Sequence, residues 1–293
     1  MKKILVLAFL SLQICHCSAQ QSGPPEALLA PGARVRQLAE GFIFTEGPAC
    51  DAQGNIFFSD VRDSKTYKWS VEGELSTFRE NTRETNGMFF ERDGNLICCE
   101  VEGRRVSRVT ADAVVTTIVD HYQGKKFNSP NDVWVDPSGG FYFTDPRYRV
   151  TEGLEQDGFH VYYVAAGSRE AVRVIDDLVK PNGIVGTSDG KTLYVADHGD
   201  SKTYAYPISS PGHLGKRSLV TPHGSDGMTL DEHGNVYLTA EDVDVFRPDG
   251  TKVTTIEVPG RASNVVFGGK DRQTLFITAN NRLYSVKMNV KGM

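Results

Sequence analysis

Six oxygen-bearing side chains recur at one phase in this 293-residue chain, each eight positions ahead of a turn. Glu46 precedes Gly54, Asn86 precedes Gly94, Asn131 precedes Gly139, Asn182 precedes Gly190 and Asp226 precedes Gly234. The sixth is Asn264, with Asp271-Arg272 where the others have their turn glycine. Carboxylates and amides are hard oxygen donors, and without Cys or His they select Ca²⁺ or Mg²⁺ over zinc. Glu46 and Asp226 are the charged pair of the set. Two carboxylates offset one divalent cation, and amide oxygens can add ligands without overcharging the site. Asn, Asp and Gly also recur as ordinary turn formers. Here the fixed phase and the changing chemistry point to a shared cation site of Glu46, Asn182 and Asp226, with Asn131 beside them and Asn86 and Asn264 weaker members.

The elements that must position these residues follow from what comes after each turn. Asn55 to Asp60, Asn95 to Glu100, Gly140 to Asp145, Thr192 to Asp197, Asn235 to Ala240 and Thr274 to Ala279 are short β-rich runs. Strand-built repeats of roughly forty to fifty residues describe a β-propeller, whose innermost strands line a common axis. One equivalent residue per blade then surrounds one central point. The expected fold is all-β, a six-bladed β-propeller over residues 35–293. The last unit shows Val265-Val266-Phe267, Leu275-Phe276-Ile277 and Leu283 to Lys287, and then lacks an outer strand. Val35 to Leu38, ahead of the first unit, can supply it and close the ring, removing exposed sheet edges.

Composition bounds the rest. A net charge of −5 gives no case for nucleic acid. Lys2-Lys3, an apolar run from Ile4 to Leu12 and Cys17-Ser18-Ala19 follow the secretory pattern, so residues 1–19 read as a signal peptide. The apolar run is too short to span a bilayer. The expectation is a periplasmic or secreted protein, with a lipid anchor on Cys15 or Cys17 the lesser reading. Residues 20–34 read as a loose Pro/Gly/Ala-rich leader. The cysteines left after cleavage are Cys50, Cys98 and Cys99, an odd set expected to be buried free thiols, with no CxxC metal spacing.

Taken together, these motifs resemble the SMP-30/gluconolactonase/luciferin-regenerating-enzyme family, in its bacterial gluconolactonase-like branch. The resemblance runs from about Glu40 to Lys287 and is carried by Thr45-Glu46-Gly47-Pro48, the run Asn128 to Trp134, Tyr142-Phe143-Thr144-Asp145-Pro146, Pro181-Asn182-Gly183, the run Lys191 to Asp197, Ser225-Asp226-Gly227-Met228 and the run Asn264 to Asp271. It implies a six-bladed propeller with one catalytic divalent cation on Glu46, Asn182 and Asp226, and with Asn131 beside or on it. It also implies Asn86, Asn131 and Asp132 near substrate and Asp226 as the proton acceptor. Two departures bear on substrate. Ser129 stands where animal members have Arg, and Val101 stands where the bacterial branch has His, so the mouth is expected to lose two long polar groups.

Asp60, Asp145 and Asp197 end second strands and read as caps for neighbouring loops. Arg147, Tyr148 and Arg149 follow Asp145 in a long loop, and Arg147 is a candidate for binding substrate hydroxyls. The histidines show no ligand spacing and read as surface or loop residues. No Gly-x-Ser-x-Gly motif appears, which argues against a serine hydrolase. The expected activity is hydrolysis of a sugar lactone, a small-molecule substrate, with one divalent cation as cofactor: Ca²⁺ first, then Mg²⁺, Mn²⁺ or Zn²⁺. A broader esterase or phosphotriesterase on the same metal, or a non-catalytic carbohydrate-binding propeller, are the alternatives.

Overall fold

A computed structural model describes residues 28–149 and 152–293; the signal-peptide reading and most of the leader lie outside them. Among the described residues the strands form six radial antiparallel sheets of four, one with a fifth short strand, plus a two-stranded hairpin at His121–Tyr122 and Lys125–Lys126. Blade 1 runs outward through Thr45–Cys50, Ile56–Asp60, Lys65–Trp69 and Leu75–Glu80. The innermost strands of the next five blades are Thr85–Phe90, Val133–Val135, Pro181–Gly186, Met228–Leu230 and Ala262–Gly268. Blade 6 is completed from the other end of the chain: Arg36–Glu40 pairs antiparallel with Arg282–Lys287. This is the closure expected from the missing strand. Coming from both ends of the chain, the last sheet leaves no open edge between first and last blades.

Alternation along each strand sends neighbouring residues to opposite interfaces, so each pair of blades shares an apolar cluster. Leu96 and Cys98 pack with Ala49, Phe57 and Met88 between blades 1 and 2. Ile97 and Cys99 pack with Val133, Phe141 and Phe143 between blades 2 and 3. Cys50, Cys98 and Cys99 are free thiols, as expected. The leader reading needs correction at its end. Leu28 is buried against blade 6, Leu29 bridges Met288, and Ala30 donates to the Lys287 carbonyl at 3.1 Å. Packing of Leu28, and in part of Leu29, against this apolar cluster holds the segment there.

The axis is packed backbone to backbone. Gly87 donates to the Asn131 carbonyl at 2.7 Å, and Gly227 donates to that of Ser263 at 2.8 Å. Hydroxyls one residue before the ends of second strands stitch blades together: Ser59 Oγ donates to the Asn86 carbonyl at 3.0 Å and Thr144 Oγ1 to that of Asn182 at 2.8 Å. Ring residues are not all placed ahead of their strands. Glu46, Asn86 and Asn182 lie inside innermost strands, where the pairing register slips between Glu46 and Ala49, Thr85 and Met88, and Pro181 and Ile184. An extra residue there re-aims the side chain from the sheet face toward the axis. Turn glycines take positive φ, and Arg272 fills that place in blade 6 at φ 58°.

Candidate metal centre and active-site cavity

Three aspartates fix the height of ring residues. Asp60 accepts from the backbone N–H of Ile43 and Phe44 at 2.8 and 3.0 Å, and Asp145 from Asn128 and Ser129 at 2.8 and 2.7 Å. Asp197 accepts from Val179 and Lys180 at 2.9 and 2.8 Å. In each blade the two donors stand three and two positions before the ring residue, which is Glu46, Asn131 or Asn182. A carboxylate accepting two buried N–H groups makes a stiff clamp. These aspartates therefore position the site, in line with the reading as loop caps. Burial pushes the Asp145 carboxyl up to about 7, against the pull of its two N–H donors and of Arg104 and Arg147.

At the axis, Glu46, Asn86, Asn131, Asn182 and Asp226 line one cavity of about 700 Å³. Their hydrogen bonds leave a definite set of free oxygens. Asn182 Nδ2 donates to Asp226 Oδ1 at 2.6 Å, which leaves Asn182 Oδ1 and Asp226 Oδ2 open. Glu46 Oε2 accepts from Gly47 N at 2.8 Å and Asn264 Nδ2 at 3.2 Å, leaving Oε1 open. The amides of Asn86 and Asn131 form no side-chain hydrogen bond among the described residues while their backbones hold the axis. Asn264 is different. Its Oδ1 accepts from Val265 N at 2.8 Å, so it supports Glu46 and is not a free donor. Asp132 is also set apart: its oxygens accept from Val133 N at 3.0 Å and Ile184 N at 3.3 Å, and it lies outside the cavity lining. The substrate contact expected of Asp132 is thus not what this geometry offers.

No ion pair neutralises Glu46 or Asp226 among the described residues. Desolvation, then the charge of Asp226, raises the Glu46 carboxyl well above the usual range, and Asp132 adds to this; Gly47 and Asn264 oppose it. Desolvation likewise raises Asp226, countered by Asn182, His198 and Arg261. The buried Glu46 and the half-buried Asp226, with open oxygens flanked by open amide oxygens, fit a divalent cation. The described residues contain no cluster of three His, Cys, Asp or Glu, so the set is of mixed carboxylate and amide character.

This arrangement carries a pH dependence. An unfolded carboxyl releases its proton near pH 4. Because Glu46 and Asp226 hold theirs to higher pH, the cation-free fold loses stability as pH rises through their raised values and has no such penalty below the unfolded value. A cation needs both groups ionised, so its binding should release protons. The gain in Tm on adding Ca²⁺ is expected to grow between pH 5 and pH 8. Melting curves with and without Ca²⁺ at both pH values check it, and a gain independent of pH would contradict it.

The cavity wall corrects two expectations. His198, read as a surface or loop residue, sits in the turn after Thr192–Asp197, where it lines the cavity and meets Tyr148 edge-on, with ring centres 5.9 Å apart. His160 is buried on the strand His160–Val164 and pairs with Asp157 at 2.9 Å. The mouth is not short of long polar groups either: Arg62, Arg104, Arg147, Arg149 and Arg261 all line it, along with Glu84 and Glu102. Arg62 and Arg147 both follow their strand-ending aspartates by two residues, a shared position that was visible in the repeat, while His198 follows its own by one. Tyr148 is 42% exposed as a residue, with Lys180 Nζ 5.0 Å from its ring centre. Desolvation followed by the charge of Asp226 pushes its phenol well above its usual range.

Comparison with known proteins finds relatives of the same fold. A gluconolactonase of Zymomonas mobilis is 30% identical over 304 aligned residues, covering 91% of this chain and 85% of its own. The structure of a gluconolactonase from Xanthomonas campestris superposes with a TM-score of 0.83 at 30% identity, covering 89% of this chain and 91% of that one. Regucalcin of Agrobacterium tumefaciens, described as a calcium-binding protein, shares the fold with a TM-score of 0.74 at 21% identity, covering 88% and 95%. Residues 44–281 match the family described as SMP-30/Gluconolactonase/LRE-like region. With that match over most of its length and the six-bladed ring around Glu46, Asn182 and Asp226, the chain belongs to the SMP-30/gluconolactonase/LRE-like family.

Proposed function

We propose that this protein is a divalent-metal-dependent lactonase that opens a sugar lactone ring to its hydroxy acid. One observation carries the reading: a buried carboxylate, Glu46, and a half-buried one, Asp226, line one cavity beside open amide oxygens, with no side-chain ion pair to balance them among the described residues. A scaffold gains nothing from burying such charges, which are costly unless compensated. The gluconolactonase relatives supply the substrate class. Glu46, Asn182 and Asp226 would hold the cation, with Asn131 beside them. Ca²⁺ suits the donor set best, and regucalcin of the same fold is described as a calcium-binding protein.

When bound, the cation supplies Lewis-acid chemistry, a polarised carbonyl and a more acidic water. The remaining work falls to side chains. Asp226 is fixed by Asn182 through Oδ1, so Oδ2 is the oxygen placed to take a proton from the attacking water. The water oxygen bonds to the carbonyl carbon, the acyl–oxygen bond of the ring breaks, and the proton returns to the departing ring oxygen. Asn86 and Asn131 present unpartnered amides to the ring and its hydroxyls. Lys180 and His198 hold the Tyr148 ring over the mouth.

Glu46→Gln tests the centre directly. The change keeps shape and removes one of two balancing charges, so Ca²⁺ affinity is expected to fall at least tenfold, the effect of about 1.4 kcal/mol. Titration calorimetry measures it, and an unchanged affinity would remove Glu46 from the ligand set. A panel of sugar lactones, aryl esters and phosphotriesters, run with Ca²⁺, Mg²⁺, Mn²⁺ and Zn²⁺, separates the lactonase from a broader esterase. We also infer export, supported by the basic, apolar and small-residue pattern of residues 1–19. Amino-terminal sequencing of the protein from a periplasmic fraction checks it: a chain still starting at Met1 would refute it.

A further inference from the structure

The cavity wall holds more positive charge than its own carboxylates use. Of the five lining arginines, Arg149 is paired with Glu84 at 2.5 Å, and Arg104 bonds the Phe127 carbonyl at 2.6 Å and Glu155 at 3.3 Å. Arg62, Arg147 and Arg261 make no ion pair among the described residues. Arg62 lies over the Phe44 ring, 5.5 Å from its centre. Arg147 is half-buried, and its Nη1 is shielded from solvent with no hydrogen-bond partner among the described residues. Asp145, whose charge Arg147 feels, has both oxygens taken by Asn128 and Ser129.

The lining carboxylates do not cover this surplus. Glu84 belongs to Arg149, and Glu46 and Asp226 would hold the cation. Glu102 is exposed and is the remaining one, so a single free carboxylate stands against three free guanidiniums. Arg62 and Arg147 are presented from the same loop position in blades 1 and 3, and Arg261 from the entry loop of blade 6. All three therefore stand at the end of the propeller that holds the ring residues. A neutral polyol needs hydrogen bonds and no net charge. A buried guanidinium N–H without an acceptor is costly, and a planar anion satisfies it with two parallel bonds.

We propose that the substrate is an anionic lactone, one bearing a carboxylate, sulfonate or phosphate at the end remote from the ring carbonyl. Arg147 is the anchor for that group, and Arg62 and Arg261 supply the attracting field. This rests on the lactonase reading and names its substrate class. A surplus of positive charge in a cleft raises the local concentration of an oppositely charged ligand.

The metal-loaded protein is assayed with glucono-δ-lactone and with analogues carrying phosphate or carboxylate at C6. The expected kcat/KM is about ten- to hundredfold higher for a charged analogue at low ionic strength, and the advantage shrinks as salt screens it. The two analogues show which anion the wall prefers. Arg147→Gln is expected to remove most of the advantage through KM, and Arg147→Lys to keep part of it, since Lys retains charge but not the fork. Calorimetry with the ring-opened acids, which cannot react, reads the same preference without turnover: the C6-charged acid should bind more tightly than gluconate. Efficient hydrolysis of the neutral lactone, with no tighter binding of the charged acid, overturns this inference and leaves the lactonase standing. Failure to open any lactone with any cation overturns the lactonase, and the calorimetric comparison then decides the anion site alone.

Discussion

Replacing Asp226 with Asn is expected to lower lactone turnover by about 10²–10⁴-fold, the usual share of a general base. The substitution keeps an oxygen that can face the cation and removes the group that takes the proton. It also disturbs Asn182, whose Nδ2 now donates to Asp226 Oδ1 at 2.6 Å. The new amide has one oxygen for two tasks: turned to the cation it loses the bond from Asn182, and turned to Asn182 it puts NH₂ in place of the open Oδ2, so metal affinity should fall along with turnover. Two effects must be kept apart. Turnover measured at saturating Ca²⁺, with occupancy followed by calorimetry, separates a lost base from a lost ligand. Full recovery of rate on adding metal would show Asp226 to be a ligand only.

Gly47→Ala is expected to be the most damaging small substitution at the axis. Its Cβ would lie 1.9 Å from the Asn86 carbonyl oxygen, 2.6 Å from that carbonyl carbon and 2.9 Å from the Gly87 Cα, at a φ of 50°. All three atoms are backbone, so no side chain can turn away to make room. Overpacking costs about 1–3 kcal/mol even where neighbours can yield, and a domain of this size loses about 2–4 °C in Tm per kcal/mol. The drop should therefore be at least several degrees, with weaker Ca²⁺ binding, because Gly47 N also holds Glu46 Oε2. Gly94→Ala is the control: its φ is 87°, yet nothing lies within 4 Å of the added Cβ. Thermal melts of both variants compare them. Equal losses would mean that left-handed strain alone, and not the closeness of blades 1 and 2, governs the axis.

Much of the site was legible because it repeats. Turn glycines, short apolar strands and the ring residue ahead of them are local features, written at one phase in each blade. That phase locates Glu46, Asn86, Asn131, Asn182 and Asp226 around one axis without knowledge of any contact. The missing outer strand of blade 6 was equally visible, since a sheet edge must be closed and one strand was left over. Even the clamping aspartates stood out, as residues that end second strands in three blades.

Only the tertiary structure decided which of these groups are free to act. Asn264 has the same phase as Asn182, yet one amide is spent on Glu46 and Val265 while the other keeps an open oxygen. Asp132 follows Asn131 directly and still turns its carboxylate to the backbone of Val133 and Ile184. The mouth shows the same thing on a larger scale. Ser129 and Val101 lack long polar side chains, but Arg62, Arg104 and Arg261 line the same cavity from other loops. A phase in sequence fixes where a backbone position lies around the axis. What its side chain does depends on donors, acceptors and charges brought from other blades, which are close in space and distant along the chain.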